Sequence, residues 1–159
     1  MEKTELYETF QKGLTSVNGE SYIAKKADVA ATLTKIFQDK DTHEVALVET
    51  PLLKEIGAVD ALKAAGIKVD TDHFRKNAPD DKGGVTEADY GIANLGSIVQ
   101  MKDDIDCRIV ETVSDVYVGI VKLSKIVDTF DDMIDIMAET KPFPKFAGII
   151  TGPSRTADI

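Results

Sequence analysis

Three short apolar runs constrain this chain more than any other feature: VALV (Val45 to Val48), VYVGIV (Val116 to Val121) and AGII (Ala147 to Ile150). Each is unbroken rather than alternating and too short for a helix, which is the pattern of a strand covered on both faces of its sheet. Longer segments with apolar residues at helical spacing lie between them. The alternation predicts an α/β fold, a largely parallel or mixed sheet flanked by helices, with the three runs as interior strands. Ligands in such sheets bind at the carboxyl ends of strands, so the turns after VALV, after Gly83–Val85 and after AGII are the places to look for function.

The other elements follow from local signals. Thr4 to Gly13 reads as an amphipathic helix with Leu6, Tyr7 and Phe10 on one side, and Ser21 to Ala24 as a short strand. Asp28 is placed to cap a helix carrying Val29, Leu33, Ile36 and Phe37. Thr50 and Pro51 supply the cap and first residue of a helix with Leu52, Ile56, Val59 and Leu62 on one face. Gly66 ends it, and Ile67 to Val69 returns as a strand. Ser97 to Met101 is a further strand. Ser124 is positioned to cap a helix whose buried stripe is Ile126, Phe130, Met133, Ile134 and Met137. With no repeat and no interdomain linker, residues 1–159 read as a single α/β domain.

Composition removes several function classes. Nineteen basic against 28 acidic residues give a net charge of −9, which repels nucleic-acid phosphates and anionic lipid. No apolar stretch approaches the ~20 residues of a membrane span, and the start MEKTELYETF has no signal-peptide pattern, so a cytoplasmic location is expected. One cysteine, Cys107, and two histidines, His43 and His73, provide no ligand spacing for zinc or an iron-sulfur cluster. DKGGV lacks the lysine and spacing of a phosphate loop, and Asp128, Asp131, Asp132, Asp135 and Glu139 fit a solvated helix face. No metal and no cofactor is expected in this chain.

Two polar segments remain. In GVTEADYGIANLGSIV (Gly84 to Val99), Thr86 is spaced to cap a short helix with Asp89 three residues on, and Asn94 and Gly96 to end it. The same Thr86, Glu87 and Asp89 are also suited to bordering a pocket at the edge of the sheet. In GIITGPSRTADI (Gly148 to Ile159), an apolar strand runs into a Gly-Pro-Ser turn followed by Arg155. Thr151, Ser154, Arg155 and Thr156 offer hydroxyls and a guanidinium to a carboxylate or phosphate.

These two segments together resemble the paired signature of the LUD domain, the family of lactate utilisation protein C. The resemblance implies a fold like that of the NagB/RpiA/CoA-transferase group and a role in the oxidation of L-lactate to pyruvate alongside iron-sulfur partner proteins. Carried onto this sequence, it implies a small-organic-anion site at Thr86, Glu87, Asp89, Asn94, Ser97, Thr151, Ser154, Arg155 and Thr156. Where the family commonly reads A-E-T-G-T, this chain reads A-N-L-G-S, so Asn94 stands at the glutamate position and Ser97 at the second threonine. Asparagine cannot transfer a proton as a carboxylate can. Relatives usually continue beyond the position of Ile159, and the chain resembles a member shortened at its carboxyl end.

Two classes of function fit. One is a metabolic component that binds a small anion, with its electron acceptor on another chain because this one has no redox group. The other is a noncatalytic assembly module, or a module binding a sugar phosphate or CoA-like molecule. The sequence leaves catalysis and homo-oligomer formation open.

Overall fold

The computed structural model describes residues 2–154. Along the chain run α1 (Lys3–Ser16), α2 (Val29–Asp39), β1 (Glu44–Leu47), α3 (Pro51–Glu55), α4 (Ala58–Ala64), β2 (Lys68–Asp70), α5 (Phe74–Asn77), β3 (Gly83–Glu87) and β4 (Tyr90–Ile92). They are followed by β5 (Ser97–Met101), α6 (Asp106–Val113), β6 (Val116–Ile120), β7 (Ile126–Val127), α7 (Phe130–Glu139) and β8 (Ala147–Ile150). The residues gather into two compact units. One carries Ile23–Glu87 and Asp104–Ile120; the other carries the segment ending at Tyr22, Ala88–Asp103 and the segment starting at Val121.

The first unit is a four-stranded, wholly parallel sheet in the order β2-β1-β3-β6. Strand alternation sends Val45 and Leu47 to one face, where they pack with Leu33 and Phe37 of α2, Leu53 of α3 and Leu62 of α4. Ala46 and Val48 point to the other face and meet Phe74, Ala78, Cys107 and Val110. The VALV run is therefore unbroken because both of its sides are core. Burying each of the large side chains contributes about 1.5–3 kcal/mol. Gly84 lets α6 approach β3: a Cβ there would lie 2.1 Å from the Ser114 hydroxyl.

The second unit is a mixed four-stranded sheet in the order β7-β4-β5-β8, with β4 and β5 antiparallel, β7 parallel to β4, and β8 antiparallel to β5. Tyr90, Ile92, Val99 and Met101 face Met133, Ile136 and Met137 of α7. Helix α7 starts at a capping box in which the Thr129 hydroxyl accepts from the Asp132 N–H at 3.2 Å and the Asp132 carboxylate accepts from the Thr129 N–H at 2.9 Å. Between β4 and β5 a 3-10 turn, Ala93–Leu95, ends at Gly96 with φ +62°. Gly96 lies against Gly13 of α1, so close that a Cβ on it would stand 2.0 Å from the Leu14 nitrogen.

The α/β class, the parallel and mixed sheets and the flanking helices are as the sequence predicts. Several finer expectations are corrected. VYVGIV and AGII form β6 and β8, which are edge strands of their sheets; only VALV is interior. Residues Ser21 to Ala24 form no strand. The helix begun at Thr50 stops at Ile56, because Gly57 adopts φ +66°, and resumes as α4. Thr86 caps no helix: Gly83–Glu87 pairs with a strand on each side, and that double ladder outweighs a local cap. Thr129, not Ser124, caps α7, and this sets the phase that leaves Phe130 and Ile134 39% and 43% exposed. No described helix is long and apolar enough to cross a membrane.

Candidate functional site

The carboxyl end of the parallel sheet collects polar groups. Pairing of β1 with β3 runs on through Val48, whose N–H donates to the Val85 carbonyl at 3.1 Å, and Glu49 and Thr50 then leave the sheet. The Thr50 hydroxyl accepts from the Leu53 N–H at 3.3 Å, capping α3, and donates to the Glu87 carboxylate. Helix start and strand end are thus tied by one hydroxyl. Thr86 points to the opposite face from Glu87; it is fully buried, with its hydroxyl 2.7 Å from that of Tyr117 on β6. A cavity of about 250 Å3 opens beside this end, lined by Glu49, Leu53, Lys54, Val59 and Asp60 among others. Its charged groups are two carboxylates and one ammonium.

In the mixed-sheet unit, Ser97 is fully buried and its hydroxyl lies 2.7 Å from that of Thr151, just beyond β8. Asp89 belongs to the sheet's own hydrogen bonding: its N–H donates to the Val99 carbonyl at 2.9 Å, and its carboxylate accepts from the Met101 N–H at 2.7 Å. Lys102 stands 3.9 Å from the same carboxylate. Asp89, Tyr90, Met101, Thr140 and Pro144 are among the residues around a second cavity of about 250 Å3. The Lys125 ammonium sits 5.2 Å from the centre of the Tyr90 ring, a cation–π contact.

The sequence-predicted site residues divide accordingly. Thr86 and Glu87 are in the parallel-sheet unit; Asp89, Asn94, Ser97, Thr151 and Ser154 are in the mixed-sheet unit. Ser97 and Thr151 are brought into contact. Asn94 is exposed, with its N–H donating to the Asp128 carbonyl at 3.0 Å, and Ser154 is exposed in the turn after β8. Arg155 and Thr156 lie outside the described residues. Thr50 and Tyr117 were not predicted; Thr50 reads as a cap in sequence, and nothing local marks Tyr117, which is 31 residues from its partner. Among the described residues no group of three or more His, Cys, Asp or Glu side chains is arranged to hold a metal ion.

A parallel sheet covered on both faces, with threonines and a glutamate at its carboxyl end, joined in one chain to a mixed sheet ending in a Gly-Pro-Ser turn, defines an α/β protein. The sequence profile of the LUD domain matches residues 7–159, and the chain belongs to the LUD domain family. It is 35% identical over 80 residues to lactate utilization protein C of Macrococcus caseolyticus, a match spanning 48% of this chain and 35% of that protein. The fold is similar to the crystal structure of a DUF162 family protein from Deinococcus radiodurans. That likeness has a TM-score of 0.71 at 12% identity and covers 95% of this chain and 89% of that one.

Proposed function

We propose that this chain works in lactate utilisation, as a component that binds a small organic anion within a system oxidising L-lactate to pyruvate. The observation that carries the proposal is the 35% identity to a lactate utilization protein C, within a chain matched by the LUD profile from residue 7 to residue 159. Oxidation of lactate releases two electrons and two protons, and the acceptor is placed on iron-sulfur partner proteins, since a lone Cys107 cannot bind a cluster. The two compact units are read as parts of one LUD domain of NagB/RpiA/CoA-transferase type, located in the cytoplasm. Within it, the carboxyl end of the parallel sheet around Glu87 is the favoured site, because open α/β sheets bind ligands there.

The test is genetic and direct. Deleting the gene in its host should abolish growth on L-lactate as carbon source while leaving growth on pyruvate intact, and the wild-type gene should restore it. Glu87→Gln, checked for a wild-type melting temperature, should fail to restore growth. Unimpaired growth of the deletion strain on lactate sinks the proposal.

One observation favours a second reading, a noncatalytic assembly module: Phe130 and Ile134, one turn apart on α7, are exposed. A Phe130→Ser, Ile134→Ser double variant that loses complementation while Glu87→Gln retains it would select this reading.

A further inference from the structure

Lys68, Asp70 and Asp81 cluster at the β2 edge of the parallel sheet. Asp81 is 1% exposed, and neither oxygen of its carboxyl group has a hydrogen-bond partner. Its nearest cation, the Lys68 ammonium, is 3.5 Å away and is engaged more closely by Asp70, at 2.9 Å. Lys68 thereby brings the two carboxyls to one ammonium. Two carboxylates offer only acceptors, so neither can donate to the other unless one of them carries a proton.

Asp81 closes the segment that holds α5. That segment is a single helical turn, seated on the sheet through two buried side chains, Phe74 and Ala78. It is bracketed by two non-glycine residues in the left-handed region, His73 and Lys82, each with φ +51°. A short piece with few buried contacts and strained ends opens locally at low cost. The state of the Asp81 carboxyl then decides how firmly it is held.

We propose that Asp81, beside Asp70 at the Lys68 ammonium, is a proton-operated latch, which holds residues 71–82 on the sheet when its carboxyl carries a proton and loosens them when both carboxyls are charged. Burial, and then the neighbouring Asp70 carboxyl, push Asp81 up to about 6, whereas the hydrogen bond from Lys68 holds Asp70 below the usual carboxylate range. The surrounding charges are Lys63 of α4, which acts on Asp70, and Glu44 of β1, which acts on Lys68. On α5 and α6, Arg75 acts on Asp106. An acid whose value is raised in the closed state favours that state below its open-state value near 3.8 and loses the advantage as pH rises to about 6. Asp70 titrates below this window, so the change within it belongs to Asp81.

Hydrogen exchange on the full chain, corrected for the intrinsic pH dependence of exchange, reads the latch. Between about pH 5 and about pH 7.5, protection of the hydrogen-bonded Lys76, Asn77 and Ala78 amides should fall roughly tenfold while β1 stays constant, the ratio expected for a carboxyl moving between open and closed values. The Asp81 carboxyl carbon should titrate in the same range by NMR. Asp81→Asn should give a flat profile, and Asp70→Asn should move both the titration and the loss of protection to lower pH. A flat wild-type profile overturns the latch, as does an Asp81→Asn profile that still falls. If Asp81→Asn does not fold, the wild-type and Asp70→Asn profiles decide, and an Asp70→Asn profile identical to wild type overturns it.

Discussion

The Ser97 and Thr151 hydroxyls lie 2.7 Å apart, so the two polar segments of this sequence meet across the β5–β8 ladder inside one unit. Ser97 is fully buried, and its hydroxyl has a direct polar partner there. Ser97→Ala should cost about 1 kcal/mol in urea unfolding, the worth of a neutral hydrogen bond. A cycle with Thr151→Val should show the two losses to be non-additive. Full additivity would mean that the hydroxyls act separately.

Gly96 combines a left-handed backbone with contact against the backbone of α1. Gly96→Ala therefore meets strain and a clash that no side-chain rotation relieves, and should destabilise by about 3 kcal/mol or more. Gly57→Ala is the matched control: its φ is +66°, but nothing lies within 4 Å of its would-be Cβ. That change should cost only the backbone strain, about 1 kcal/mol. Equal effects in thermal melts would contradict the role given to the α1 contact.

Asp81→Asn should raise stability at neutral pH, because it removes a buried charge while keeping the shape of the side chain. A carboxyl pushed from 3.8 to about 6 sacrifices on the order of 3 kcal/mol at pH 7. That figure already contains the attraction of Lys68, so the expected gain is of the same order, roughly 2–3 kcal/mol. The sign follows from linkage: the wild type loses ground as pH rises from about 3.8 and has lost it fully above about pH 6, so the difference should be large at pH 7 and small near pH 4. Urea midpoints at both pH values check it.

Thr129→Ala removes the hydroxyl half of the α7 capping box and should cost about 1 kcal/mol. Ser124→Ala, at the residue that sequence spacing favoured, should be nearly silent, because Ser124 is exposed within a 3-10 turn. A larger effect at Ser124 would reverse the assignment.

How far the sequence could be read depended on the range of the interactions involved. VALV, VYVGIV and AGII are strands because unbroken apolar runs need cover, a property carried by the run itself. Their order in the sheets is another matter: the partners of β6 and β8 lie 30 or more residues away, and apolar content does not distinguish an edge from a centre. Thr86 and Asp89 satisfied a helix-capping pattern, but Thr86 belongs to a ladder with β1 and β6, and the Asp89 carboxylate accepts from Met101. In α7 the helical period was legible and so was part of the inward face, Met133 and Met137; the capping box at Thr129 turns Ile136 inward with them and leaves Phe130 and Ile134 exposed. Glu87 was legible as a candidate; the Thr50 hydroxyl that fixes it, 37 residues earlier, was not.

The interleaving of the two units also sets a timetable. Every segment of the parallel-sheet unit has been made once synthesis passes Ile120, whereas at that moment the mixed sheet still lacks β7 and β8, two of its four strands. A chain whose residues through Ile120 have cleared the ribosome can therefore close the first core while β4 and β5 wait as an unfinished hairpin with both outer edges open. Unfinished edges are the surfaces on which chains pair wrongly. Until β7 and β8 have paired, the two edges of the β4–β5 hairpin are where this fold is most open to wrong pairing.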